Sequence, residues 1–273
     1  MTTTLPAPTG TTRPPAVRAH RGAPLRDVVT MTRRETRRTL RSVDGLVTAF
    51  ALPVLIMIVF VVIFGGAISG STGGDYIDYV VPGVLVMCLG MNSATAAIAV
   101  AQDMTSGTID RFKTLPILGP APLWGHVVAS VVRNLTSAAV VILAALAMGF
   151  RPEAGLGGWL GFAGFAALSV LTFTWISAAL GLVLSVDSSQ SVNMIFLFVP
   201  YLSSGFVPVD TMPGWLHGFA EHQPFTPIIE SVRGLLMGTP DGGTILTACV
   251  WLLAFLAASV VSGSLLYRRR TAR

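Results

Sequence analysis

The four histidines of the chain, His20, His126, His217 and His222, are the side chains best suited to proton transfer or metal binding near neutral pH. None lies inside an apolar run. His20 stands in a polar leader, His126 at the end of a run, and His217 and His222 in a segment between two runs. The carboxylates are placed likewise: Asp75, Asp78, Asp103, Asp187, Asp210 and Asp241 fall in connecting segments or at run ends, and Glu153, Glu221 and Glu230 in segments expected to face outward. An ion-coupled pump needs ionisable groups along its path, and a membrane enzyme needs a nucleophile, base or metal constellation. This distribution counts against both. Cys88 and Cys249 show no metal spacing and read as small apolar side chains, so no metal site is expected. No GxxxxGK[ST] phosphate loop occurs in these 273 residues, so hydrolysis of a nucleoside triphosphate by that route must belong to another chain.

The polar residues left inside the runs are neutral. Asn92, Ser93 and Thr95 lie in one run, and Asn193, Phe196, Tyr201 and Ser204 make up a polar and aromatic set in another. Two roles are open to them: lining the path of a large amphipathic solute, or hydrogen bonding between helices, which is the commoner role. Pro200 removes one backbone donor and predicts a kink, with Ser203, Ser204 and Gly205 just beyond it. Arg133 is the one clear cation within a run; its expected place is the inner interface, reached by snorkelling, with solute contact as the alternative.

The elements that carry these residues follow from composition. Of the residues, 52% are hydrophobic and 11% charged, against about a quarter charged in soluble domains. Mean hydropathy is +0.71. This describes an all-α integral membrane protein. Six runs approach the roughly 20 residues that a spanning helix needs, at 46–68, 79–101, 126–150, 159–184, 191–208 and 244–267, the fifth being the shortest. Fifteen of the 18 Lys and Arg precede the first run, sit at Arg111 and Lys113, or close the chain at Arg268, Arg269, Arg270 and Arg273. Six spans place all fifteen on one side, which the positive-inside rule makes cytoplasmic, with both termini there. The basic balance then answers to anionic inner-leaflet lipid rather than nucleic acid. Residues 1–24, rich in Thr, Pro and Arg, read as a disordered leader. The span 25–273 reads as one membrane domain, opening with an Arg-rich amphipathic helix over 25–43 at the inner interface.

Two connecting segments carry more pattern than loops require. In "AQDMTSGTIDRFKTLPILGP" Thr108 can cap, Asp110 suits a first turn, Ile109, Phe112 and Leu115 form an apolar edge, and Pro116 stops the helix. Such a two-turn helix fits a groove in a cytoplasmic partner. Between the fifth and sixth runs, Pro213 opens a helix presenting Trp215, Leu216 and Phe219; Thr226 as cap and Pro227 at the first position open another, which Gly238 stops. Neither is long enough to span, so the pair reads as an outer re-entrant or interfacial hairpin. Glu230 and Arg233, three residues apart, are placed to pair. If that pair is partly dry, either single replacement should impair the protein more than a neutral double replacement.

These two segments together make the chain resemble a permease of the type-2 ABC exporters, in the daunorubicin-resistance branch of actinobacteria, from about residue 25 onward. The resemblance implies that Asp103, Gly107, Thr108, Asp110, Arg111, Phe112 and Pro116 belong to a coupling helix that docks on an ATPase subunit, although Asp103 and Asp110 stand where many members have glutamate. It implies that Pro208, Pro213, Trp215, Pro224, Glu230, Arg233 and Gly238 belong to the outer hairpin, a candidate gate. It further implies a plasma-membrane subunit exporting drugs, lipids or polyketides, paired with a second permease copy or sister permease. Two ATPase subunits would bind the ATP and magnesium. Export of a lipid-linked glycan or envelope component is the alternative cargo; an ion-coupled transporter or a channel is the alternative class.

Overall fold

The computed structural model describes residues 43–72, 74–105 and 121–271, and every element among them is helical. The leader, nearly all of the 25–43 segment, and Gly107, Thr108, Asp110, Arg111, Phe112 and Pro116 lie outside the described residues. Helix α1 (Val43–Val59) passes through a π-helical turn (Phe60–Phe64) into α2 (Gly65–Thr72). Then follow α3 (Tyr76–Thr105), α4 (Ala121–Ala147), α5 (Leu156–Gly181) and α6 (Val186–Phe198), which tightens into a 3-10 turn (Val199–Leu202). A second 3-10 turn (Val209–Thr211) leads to the short helices α7 (Gly214–His222) and α8 (Phe225–Leu236), and α9 (Gly242–Thr271) ends the body.

Five of these segments are long and apolar enough to cross a bilayer: Ala49–Ile68, Tyr76–Thr105, Ser130–Ala147, Leu156–Gly181 and Gly242–Tyr267. The fifth apolar run departs from its expected bounds. Its helix starts at Val186 rather than near 191, because Ser185 caps it by accepting from Ser188 N at 3.2 Å. Hydropathy overlooks a polar first turn. At the other end Pro200 does more than kink the helix, which gives way to a 3-10 turn and then to the turn at Ser203–Gly205.

Helix α3 is the axis of the fold. It is apolar or small on nearly every side, which suits a helix enclosed by others, and it packs against α1, α4, α5, α6 and α8. The two ends of the bundle are defined by separate contacts. At one, Val100 of α3, Val127 of α4, Trp175 and Ala178 of α5 and Leu182 cluster with Val260, Leu266 and Tyr267 of α9. At the other, Tyr76 Oη donates to Phe206 O (2.9 Å) and Arg151 N donates to the Asp78 carboxylate (3.2 Å). Helices α3 and α5 are therefore parallel, and α6 with its 3-10 continuation runs from the Leu182 end to the Tyr76 end.

Two sequence expectations are corrected here. Thr226 does not cap α8, which begins at Phe225; Phe225 N donates to Gln223 Oε1 (3.0 Å), and Thr226 Oγ1 instead donates to Ala220 O of α7. A side-chain amide reaches this donor from two residues away, so the Ser/Thr rule misplaces the cap. Arg133 does not snorkel along its own helix. Its Nη2 reaches across to α3, where a backbone carbonyl and a hydroxyl hold it.

Helices α3 and α5 approach closely at Gly181, where an added Cβ would lie 2.3 Å from Ala97 O. Gly164 on the same helix has open space around it. Gly181→Ala is expected to lower stability by about 1–3 kcal/mol, because the overpacking cost exceeds the ~1 kcal/mol of helix propensity gained. Gly164→Ala should be neutral or stabilising. Thermal unfolding of the two variants in detergent checks the contrast.

Candidate transport site at the broken helix

Two prolines interrupt helices at the Tyr76 end. Pro82 lies inside α3 and Pro200 after α6, and each deprives an earlier carbonyl of its donor. A single side chain spans both breaks. Arg233 of α8 donates to Tyr79 O from Nε (3.3 Å) and Nη2 (3.1 Å), and to Ser204 O from Nη2 (2.7 Å). Its Nη1 pairs with Glu230, and the guanidinium stacks 3.8 Å above the Tyr79 ring. Arg233 is largely covered, at 14% exposure, whereas Glu230 is 39% exposed. Tyr76 Oη donates to the Phe206 carbonyl, just beyond the turn. Gly83 lets the turn enter: a Cβ there would sit 2.3 Å from Gly205 O.

Helix α8 is held against the bundle by Ile228, Ile229, Val232, Leu235 and Leu236, all buried. Gly238 then turns the chain in the left-handed region at φ +72°. Helix α7, by contrast, presents Trp215 (81% exposed) and Phe219 outward, with Ala220 as its buried contact. Pro213 stands at the N-cap of the first of these helices, as the sequence pattern predicts, and Pro224 at that of the second, so Pro227 is the third helical residue rather than the first. Asp241 opens α9, accepting from Thr244 N (2.8 Å) and Thr244 Oγ1 (2.6 Å), and these bonds hold its carboxyl below the usual range.

The seven residues read as a solute path do not converge on one surface. Asn92 and Thr95 meet Arg133; Ser93 accepts from Asn134 Nδ2 at 3.5 Å. Phe196 is buried against Phe173 and Phe225. Tyr201 stacks on Phe206 at 4.3 Å, with Phe60 of the π turn packed on the same ring. Asn193 Oδ1 and Ser204 Oγ, before and after the break in the chain, are buried without a hydrogen-bond partner. Asp103 is half-buried in the last turn of α3. Tyr76 and Tyr79 were not singled out from the sequence, though two tyrosines three apart at the start of an apolar run, before a proline, were the available signal.

The guanidinium's bonds to two backbone carbonyls add a role beyond the ion pair, so a neutral double replacement is now expected to fare no better than the arginine replacement alone. Arg233→Met should cost about 1–3 kcal/mol for the Ser204 carbonyl it strands, whereas Glu230→Gln, losing a largely solvated pair, should cost about 0–1 kcal/mol. The double variant Glu230→Gln/Arg233→Met is expected to unfold with the single arginine variant in detergent melts. Recovery toward the parent would mean the ion pair, not the carbonyls, is what Arg233 serves.

Residues 26–237 match the ABC-2 type transporter family. The chain is 32% identical over 236 residues to a daunorubicin resistance ABC transporter permease protein of Streptomyces coeruleorubidus, covering 83% of this chain and 81% of that one. It is 25% identical over 244 residues to a probable doxorubicin resistance ABC transporter permease protein of Mycobacterium tuberculosis, covering 87% of each. An inner membrane transport permease of Escherichia coli is 24% identical over 229 residues, 81% of this chain and 88% of the other. An all-helical bundle with several bilayer-length apolar helices and these relatives lead to one identification: the chain belongs to the ABC-2 type transporter family and is a multi-pass membrane permease of an ABC exporter.

Proposed function

We propose that this permease exports hydrophobic or amphipathic compounds (drugs, antibiotics, lipids or polyketides), driven by ATP that two separate subunits bind with magnesium and hydrolyse. The names of the relatives, which speak of daunorubicin and doxorubicin resistance, support the cargo class. The absence of a phosphate loop in this sequence supports a separate ATPase. A second permease, identical or sister, completes the complex.

One observation carries the reading. Residues 106–120 connect α3 to α4 in sequence, and the ends they join lie where the last turns of α5 and α9 also cluster. That end carries Arg111 and Lys113 on the segment and Arg268, Arg269 and Arg270 at the close of α9, so it is the cytoplasmic end. Helix α6 with its 3-10 turn rises about 27 Å, close to the ~30 Å hydrocarbon core, and makes a sixth crossing. Both termini then lie inside. The turn at Ser203–Gly205 and the α7–α8 hairpin lie at the outer leaflet, with Trp215 and Phe219 toward lipid and Arg233 closing the exit around the break. Work enters through Gly107–Pro116 and is spent at this outer station.

Reporter fusions at Arg273 and within 70–76 should report opposite compartments; the same compartment for both would remove the sixth crossing. Burial of Phe112 in an ATPase groove is worth about 2–3 kcal/mol, tenfold or more in docking. Phe112→Ala, or charge reversal at Asp110, is therefore expected to leave the permease at normal abundance and lower both ATPase recovery in pull-downs and drug efflux. Undiminished recovery with parental efflux would mean that the segment only keeps a loop soluble.

A further inference from the structure

A second polar node lies nearer the cytoplasmic end, and it joins the three helices around the coupling segment. Pro53 is buried inside α1, and lacking an N–H it leaves Ala49 O without its helical donor. That carbonyl turns to α3, where Asn92 Nδ2 donates to it at 3.3 Å and Cys88 Sγ lies 3.8 Å away. The same Asn92 offers its own carbonyl to α4: Arg133 Nη2 donates to Asn92 O at 2.9 Å. Thr95 Oγ1 also donates to Asn92 O (2.7 Å) and accepts from Arg133 Nη2 (2.6 Å), and Ser130 Oγ accepts from it at 3.1 Å. Asn92 is 4% exposed, so these bonds work in a low-dielectric setting where their loss is felt.

We propose that the chain Arg133–Asn92–Ala49 is a mechanical relay: it makes α4 and α3 move as one and passes their displacement to α1 at the proline break. Arg133 and Asn92 are positioning residues in it, and the inference rests on the coupling reading above. The segment 106–120 connects the end of α3 to the start of α4, so a force on it acts on both helices. Without a cross-link the two could shear past each other. Arg133 supplies that cross-link, and the freed carbonyl of Ala49 gives α3 a polar grip on α1, whose upper part carries Phe60 to the Tyr201–Phe206 stack. Without Pro53, Ala49 O would keep its helical donor and offer no such grip. The proline and the asparagine thus act as one device.

The test needs no cargo. The permease with its ATPase is reconstituted in lipid vesicles, in a Cys249→Ala background with Val62→Cys spin-labelled; Val62, in the π turn, is 72% exposed, whereas Cys88 is buried. The spectrum is compared without nucleotide and after trapping with ATP and vanadate. Trapping should change the spectrum of the otherwise unaltered complex. Arg133→Gln, Asn92→Leu and Pro53→Ala should each shrink that change while ATPase recovery stays within about twofold, and Arg133→Lys should retain part of it. Pro53→Ala is the decisive variant, because it restores a helical hydrogen bond and cannot act by unfolding α1. Combining it with Asn92→Leu should lose no more than the worse single, since both cut the same link. No spectral change on trapping, additive losses in the double variant, or a full change in Arg133→Gln would each overturn the relay. Phe112→Ala separates the two claims: if it leaves recruitment and the spectral change intact, the coupling reading fails; if it removes them while the node variants do not, only the relay fails.

Discussion

A carbonyl freed inside a bilayer has no water to turn to, and each one left unsatisfied costs several kcal/mol. Pro53 frees Ala49 O inside α1, and after Pro200 the chain leaves α-helix, so Ser204 O and Phe206 O have no helical donor. Each of these three carbonyls is taken by a side chain from a different helix: Asn92, Arg233 and Tyr76. The breaks therefore become the joints of the bundle, because the group that repairs a break is also a tie between elements. Lipid offers no hydrophobic drive for helix association, so ties of this kind and close backbone packing must supply it. The approaches at Gly181 and Gly83 are the second half of that answer.

Helix α3 collects both sets of ties. Its first turns hold Tyr76 and Tyr79 and admit the Ser203–Gly205 turn at Gly83, and its second half holds Asn92 and Thr95. A buried, nearly all-apolar helix touched on every side is a poor element to bend and a good one to displace as a unit. The irregular elements, the π turn of α1 and the 3-10 end of α6, lie around it, and they meet through Phe60, Tyr201 and Phe206.

Much of this was legible in the sequence, and the misses have physical causes. Hydropathy found each long helix, since a bilayer demands a length of apolar residues that little else imitates. The Glu230–Arg233 pair followed from helical spacing, and the stop at Gly238 from its conformational freedom. The start of α6 was missed because an interfacial first turn is polar. The partners of the bonded carbonyls were beyond reach: Asn92 to Ala49 spans 43 positions, Tyr76 to Phe206 spans 130 and Arg233 to Tyr79 spans 154, and local patterns hold no information at that range. Neutral polar residues in the runs were read as open to either solute contact or helix bonding. For Asn92 and Thr95 the geometry is helix bonding; for Asn193 and Ser204, whose buried oxygens have no partner, it is not.

Around Asn92 the polar groups of α1, α3 and α4 bond to one another, although Asn134 Oδ1, next to Arg133 on α4, is buried without a partner. At the Tyr76 end Arg233 fixes the backbone around a turn whose own side-chain oxygen, Ser204 Oγ, is left open, and the neighbouring aromatic faces of Tyr201 and Phe206 belong to residues outside regular α-helix. A site that must accept varied amphipathic solutes cannot satisfy all its polar groups internally, because the solute would then have nothing to exchange for its lost water.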